Sequence, residues 1–502
     1  MSQKVQSRGR MQKGVAPEIV KFINGPVAKD DFARLFDIYL DINRAHVLML
    51  AQTGIIEAAD AKKILLATRE IAGHREVPDF ATHPELEDLY TTIEHQLIDL
   101  VGLEVGGKQH TARSRNDLGS CAARMAAREE FLRIGEIFLR LRKTLLDLAK
   151  SSTDAVMSGY THMQPSEPIT FAHYLSAVSN GLARDFARYQ AVWKGLNLNP
   201  LGAGSMGSTS FPIDRYLTTK WLGFDGLLEN SLDATASRDY VLEIVAAMGM
   251  AADTLSRLAY DLYIWSTPDY GYIEVDDSCA VCSSIMPQKK NAFTLEHIMG
   301  RAGNMHGHVM AAYSCMKNII YSHSKQTSVE MPKGLYDAFT DMETMLELAD
   351  VTLRTMKLKK DVMISKARRN FSTVTELANF MVRIDGVSFR QAHEVVAAVV
   401  ARKLEANETS EDIRREDLEA VSRALFEAST QMTDEDIRTA LDPARIVAAK
   451  KIPGGTELNE VCRQLKLLEE TLANDTKAFS GMRAQIRKAQ EGLYRDVEAF
   501  LS

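Results

Sequence analysis

Apolar residues along this chain recur at helical spacing over long runs that contain no proline. Proline ends helix interiors, because it removes a backbone donor and its ring meets the preceding turn. Thirteen prolines occur, and none lies between Pro84 and Pro165, between Pro212 and Pro268, or between Pro332 and Pro443. In "EEFLRIGEIFLRLRKTLLDLAK", Leu132, Leu139 and Leu146 repeat every seven residues, and Ile134, Ile137, Leu141, Leu145 and Leu148 widen the stripe. That pattern predicts a long helix with one broad apolar face. In "DYVLEIVAAMGMAADTLSRLAYDLYIW" apolar residues occupy most sides. This predicts a helix enclosed in a bundle, and hints at packing between subunits. The stretch "LEETLANDTKAFSGMRAQIRKAQEGLYRDVEAFLS" reads as a more polar helical tail on the surface. Strand-like alternation is scarce, so the expected class is all-α. Helices of this length need packed neighbours, which predicts a bundle with loops gathered at its ends. The first residues, to about position 25, are expected to be poorly ordered.

Composition narrows the function classes. A length of 502 residues suggests two to four domains or one extended fold, and 45% apolar with 25% charged residues is ordinary for a soluble protein. A net charge of -7 argues against a general nucleic-acid binder, which needs a basic footprint, but leaves room for a small cationic pocket. No apolar run approaches the ~20 residues of a membrane span. The start, "MSQKVQSRGRMQKGV", lacks the apolar core of a secretory signal. The expectation is a cytoplasmic protein whose five cysteines are reduced. One C-x-x-C pair, Cys279 and Cys282, is a weak pointer to zinc or redox chemistry without a second pair. "GAGSMG", Gly202 to Gly207, matches a dinucleotide fingerprint, but no βαβ pattern surrounds it, so it reads as a plain glycine-rich loop.

Three polar islands interrupt the helices: "KQHTARSRNDL" (108–118), "SGYTHMQPSEPITFAH" (158–173) and "SSIMPQKKN" (283–291). Each has a structural explanation when taken alone. Arg113 and Arg115 suit a solvated face or a pair with Asp117; Thr161 suits a helix cap, and His162 a half-buried position. Ser283 suits a cap on the next helix. Together they suggest dicarboxylate recognition, because guanidinium forks, amides and hydroxyls match carboxylate geometry. A serine is a poor base unless a neighbouring cation and donors stabilise its alkoxide. Lys289, six residues after Ser283, is placed to curl back over it. A loop of small polar side chains also suits closure over a substrate.

The order of these motifs resembles the fumarase/aspartase superfamily and, within it, the argininosuccinate lyase family. "SSIMPQKKN" is similar to the superfamily's signature loop, and its "QKKN" ending to the argininosuccinate lyase branch. "HTARSRND", "GYTHMQPSEPITFAHYL", "NSLDATASRDYVLE" and "PGGT" at Pro453 to Thr456 follow in family order, and the likeness covers roughly Asp30 to Glu470. The resemblance implies three domains, at 1–112, 113–365 and 366–502, the middle one a long helix bundle. It implies a homotetramer with a 20-helix core whose active sites each draw on three subunits. It also implies the reaction: reversible β-elimination of an amine from an N-substituted aspartate, giving fumarate, with no cofactor and no metal. Ser283 matches the family's base. Lys289 and Asn291 match residues that hold the dianionic intermediate, and Ser114, Asn116 and Thr161 match further carboxylate contacts. His162 matches the family histidine and Glu296 its acidic partner. Arg113, Arg115, Ser284 and Met286 lie in the matching substrate-binding segments.

Departures gather on the amine side. The family's early W-G-G-R-F is absent, and Asn43 in "DINRAH" stands where a serine is expected. Tyr321 and Gln326 match residues that touch the arginine portion, but the family's lysine three positions later is Val329 here. Glycine gives way to Ala112 in "HTARSRND" and to Cys282 before the serine pair. A kept fumarate half with an altered amine half implies an amine other than arginine. A member like ethylenediamine-N,N'-disuccinate lyase, acting on aminopolycarboxylates, is the leading expectation, and argininosuccinate itself is the alternative. An inactive crystallin-like structural role is a third reading, which the intact set Ser283, Lys289, His162 and Glu296 disfavours.

Overall fold

The computed structural model describes residues 13–76, 78, 79 and 83–502. Most of them are helical, and the helices named here are α1 (Gly25–Gln52), α2 (Ala58–His74), α3 (Leu89–Val101), α4 (Arg115–Lys150), α5 (Phe171–Ala191), α6 (Asp239–Trp265), α7 (Phe293–Met316), α8 (Met331–Thr355), α9 (Lys360–Arg369) and α10 (Leu458–Leu501). Two antiparallel ribbons matter for the site. They are β1 (Val156–Thr161) with β2 (Gln164–Thr170), and β3 (Val281–Cys282) with β4 (Lys290–Asn291). The chain is already helical at Pro17, where proline at the first turn gives up only an N–H that has no intrahelical partner. The expected disorder therefore fails from that point, and residues 1–12 lie outside the described residues.

Buried apolar side chains gather in three larger cores. The first joins α1, α2 and α3 through Phe36, Leu40, Ile64 and Ile93. The second lies between α4, α5, α6, α7 and α8, and takes in Leu132, Leu139 and Leu146 from the heptad stripe. The third, residues 377–441, includes Leu377, Val396, Leu418 and Ile437. Helix α10 follows the third core in sequence but packs on the other two. Val461, Leu465, Phe479 and Ile486 enter the central core, and Leu493 and Val497 the first. The tail is helical as its pattern predicts, but its apolar face is core.

Polar side chains inside α4 bind the connections that cross it. Arg124 donates to the carbonyls of Gly195 (2.6 Å) and Leu196 (3.2 Å), and Arg128 to that of Leu222 (2.6 Å). Buried carbonyls without partners cost about 1–3 kcal/mol each, so these arginines fix loops that cannot join a ladder. Helix α6 is less enclosed than its all-round apolar pattern predicts, since Met250 and Tyr260 are exposed. No described helix is long and apolar enough to cross a membrane.

Candidate active site

The first island ends on the N-terminus of α4. Ser114 is the N-cap, and its side chain accepts from Asn116 N (3.3 Å), while Asp117 accepts from Ser114 N (2.8 Å), a reciprocal capping pair. The second Asp117 oxygen accepts from the backbone of Gly202 (2.8 Å) and Gly204 (3.0 Å). The glycine-rich loop is thus bolted to the island, and Asn116 Nδ2 reaches the Ser205 carbonyl (3.2 Å). Arg113 is not solvated and does not pair with Asp117. It is buried, donating to Asn43 Oδ1 (2.8 Å) and the Tyr90 hydroxyl (3.1 Å). Arg115 instead forms ion pairs with Asp88 (3.0 Å) and Glu87 (3.4 Å). Ala112 holds a left-handed backbone, φ 62°, where the family pattern has glycine. A side chain there costs about 1–2 kcal/mol, which explains the family's choice.

The second island is a β-hairpin, which the scarcity of alternation did not foretell. Thr161 pairs with Gln164, so the turn is two residues, His162 and Met163, both left-handed at φ 53° and 61°. Hairpin turns of this kind favour Asn and Gly. Non-glycine residues there store strain of order 1–3 kcal/mol each, and such strain clusters at functional positions. Thr161 and His162 are exposed at the tip. Thr170, not Thr161, caps the next helix, accepting from His173 N (3.0 Å).

The third island is the loop closed by β3 and β4. Ser283 Oγ accepts from Met286 N (3.1 Å) and Ile285 N (3.4 Å), so the hydroxyl is held inside its own turn and caps no helix. Ser283 N donates to the Lys289 carbonyl (3.2 Å), which brings Lys289 back across the loop. Lys290 is drawn away by Asp277 (2.6 Å) and Glu274 (3.5 Å), whereas no described carboxylate pairs with Lys289. Ser284, Met286 and Lys289 are exposed and Asn291 is half-buried. Glu296 sits in the first turn of α7, accepts from the Tyr263 hydroxyl (3.1 Å), and lines a surface hollow of about 480 Å³ with Arg301 and Asn304.

Tyr321, expected on the amine side, donates to Asp233 (2.6 Å), whose short helix is tied to α4 by Ser120 Oγ and the Ala234 carbonyl (2.8 Å). Gln326 and Val329 share one wide helical turn, Gln326–Glu330, that leads into α8. Two neighbours were missed by sequence reasoning. Tyr90 bridges Arg113 and His110, with its hydroxyl 2.9 Å from His110 Nδ1. Asp31 has its carboxyl pushed up to about 6 by burial and then by Asp88, against the pull of Arg34 and Lys325. Neither belongs to a motif, so no local pattern marked them.

The chain therefore brings Asn43, Arg113, Ser114, Arg115 and Asn116 together at one place, and Ser283 to Asn291 at another. Among the described residues, no hydrogen bond or ion pair joins His162 to Glu296, or either to Ser283. The first island likewise makes none with the loop.

Comparison with known proteins finds relatives for the chain as a whole. The family described as lyase matches residues 35–307, and argininosuccinate lyase C-terminal matches residues 371–448. Argininosuccinate lyase 1 of Shouchella clausii is 42% identical over 495 residues, 98% of this chain and 99% of that one. Argininosuccinate lyase of Methanocaldococcus jannaschii is 33% identical over 96% of this chain and 98% of its own length. Among solved structures, EDDS lyase in complex with formate has a TM-score of 0.87 at 31% identity, covering 97% of this chain and 96% of that one. A variant of EDDS lyase with bound fumarate gives 0.86 at 31%, covering 98% and 97%.

Proposed function

Because the chain belongs to the argininosuccinate lyase family and is a carbon–nitrogen lyase, we propose that it eliminates an amine from an N-substituted aspartate and releases fumarate. The observation that carries this reading is the Ser283 hydroxyl, cradled by two backbone N–H groups in a loop that the Ser283 N–H closes onto the Lys289 carbonyl, with no described carboxylate pairing the Lys289 side chain. Those donors lower the cost of an alkoxide, which then removes the Cβ proton. Charge builds on the neighbouring carboxylate, and fixed donors aimed there supply the largest share of the acceleration. Asn291, Thr161, Ser114 and Asn116 are the donors in this reading, with Lys289 as the cation. His162 and Glu296 orient the site and handle the proton of the departing amine. The fumarate bound by the EDDS lyase variant supports the assignment of the product.

The working enzyme in this reading is a homotetramer that assembles each site from three subunits. Among the described residues of one chain no hydrogen bond or ion pair joins His162 to Glu296, and in this reading a second copy completes the pair. Helix α7 offers a face for that copy. Gly300, Gly303 and Gly307 are exposed with open space at their Cβ positions, and Met310 and Tyr313 are exposed beside them. Helix α6 adds Met250 and Tyr260.

The amine in this reading is not arginine but belongs to an aminopolycarboxylate such as ethylenediamine-N,N'-disuccinate. Val329 cannot make the charge-assisted contact of a lysine, a loss of about 1.5–3 kcal/mol or one to two decades in affinity. Argininosuccinate is the second reading, favoured by the 42% identical relative. A panel of N-substituted aspartates, followed by fumarate absorbance, separates them. Turnover of aminopolycarboxylates supports the first reading, and turnover of argininosuccinate alone selects the second. No fumarate from any member of the panel refutes elimination at this site.

A further inference from the structure

A cavity of about 830 Å³ opens between the hairpin and α9, and neither Thr161 nor His162, nor any residue of the 283–296 region, lines it. Its walls carry four charges: Asp269, Asp361, Lys366 and Arg369. Opposite charges in one hollow ordinarily neutralise each other, yet among the described residues none of these four forms an ion pair. Lys366 donates instead to the backbone carbonyl of Asp269, which leaves both carboxylates free. Two tyrosines complete the polar end. Tyr160 and Tyr270 lie in the lining with ring centroids 5.5 Å apart, and the Lys366 ammonium stands 5.9 Å from the Tyr270 ring. The Tyr160 hydroxyl is 2.6 Å from that of Tyr272, which fixes the ring as a wall. Met163, Pro165 and Val362 supply apolar surface, beside the polar Gln164, Ser365, Asn370 and Thr409.

Two cations and two carboxylates that form no ion pair suit a ligand that carries one charge of each sign. The cations take a carboxylate, with Arg369 able to bind it through two parallel bonds. The carboxylates and aromatic faces take an ammonium. Met163, Pro165 and Val362 take a hydrocarbon side chain, in a volume within the usual range for a small-molecule site. We propose that this cavity is a second binding site, separate from the catalytic residues, for a zwitterionic α-amino acid with an apolar side chain.

Titration calorimetry on the full chain, with L-leucine as the probe, tests this. Saturable binding is expected, unaffected by saturating fumarate. It should weaken about 10–100-fold in Arg369→Ala and in Asp361→Asn, the effect of losing one charge-assisted contact. Two analogues remove one charge each without touching the protein. 3-Methylbutylamine lacks the carboxylate and 4-methylpentanoate lacks the ammonium, and both should bind at least about tenfold more weakly. The proposal is overturned by an absence of saturable binding at millimolar L-leucine, by displacement with fumarate, or by analogues that bind equally well. Unchanged affinity in both variants, with melting temperatures matching the parent, overturns it too.

Discussion

Gly135, in the middle of α4, lies directly beneath the Phe479 ring of α10. A Cβ built there falls inside contact distance of Phe479 Cε1, and at 2.7 and 2.8 Å from Cζ and Cδ1. The ring has no easy retreat. Phe479 is 2% exposed, with Phe186 at 5.0 Å and Phe131 at 5.7 Å between centroids. Gly135→Ala sets two effects against each other. Alanine favours the helix by about 1 kcal/mol. Overpacking a filled core costs about 1–3 kcal/mol, rising toward the ~3–5 kcal/mol of losing a buried Phe if the ring is expelled. The second effect should win, giving a net loss of about 1–3 kcal/mol. Urea unfolding of the assembled protein measures it. The decisive comparison repeats the substitution in Phe479→Ala, where the obstacle is gone. There Gly135→Ala should stabilise by up to about 1 kcal/mol, a reversal of sign. Stabilisation of the parent by Gly135→Ala, or the same change in both backgrounds, would falsify the claim that this glycine exists to seat α10.

Ser283→Ala should lower kcat by about 10²–10⁴-fold, the usual worth of a positioned base, with circular dichroism unchanged because the hydroxyl bonds only within its own exposed turn. Val329→Lys should tighten argininosuccinate by about one to two decades, read as KM in the fumarate assay; an unchanged KM removes Val329 from the amine pocket. Asp31 binds its proton more tightly folded, at about 6, than the ordinary carboxyl at 3.8, so its contribution to stability falls as pH rises through that window. Asp31→Asn should therefore melt higher than the parent at about pH 8 by up to roughly 2–3 kcal/mol, with the advantage gone below about pH 4. Mixing subunits of two inactive variants, Ser283→Ala and His162→Asn, should restore activity at roughly a quarter of the sites by random assortment. No recovery after confirmed subunit exchange would place both residues in one chain's site.

The helices were legible because their signal is local. The heptad of Leu132, Leu139 and Leu146 needs only a 3.6-residue period to be read, and all three are buried. The hairpin was not, because its strands are polar and carry two prolines, Pro165 and Pro168, with no glycine in the turn. Its turn is held by surroundings, not by propensity, and Tyr160 on Tyr272 is part of that support. Helix α10 misled for a related reason. A broad polar face hides how few apolar residues are needed, when one of them is Phe479 entering a slot cut by a glycine some 340 positions earlier.

Residue chemistry was more legible than residue proximity. The three islands stand out because they concentrate hydroxyls, amides and cations between apolar helices. Within each island the local turns explain the spacing. Ser114 and Asp117 cap one another, and Ser283 reaches Met286 three residues on. What no spacing reveals is which islands meet. Arg113 finds Asn43 seventy positions away inside the chain, yet His162 and Glu296 find nothing of each other there. In the proposed reading, elimination calls for the hairpin of one copy and the loop of another at the same substrate, and the glycine-lined face of α7 offers a surface for that approach.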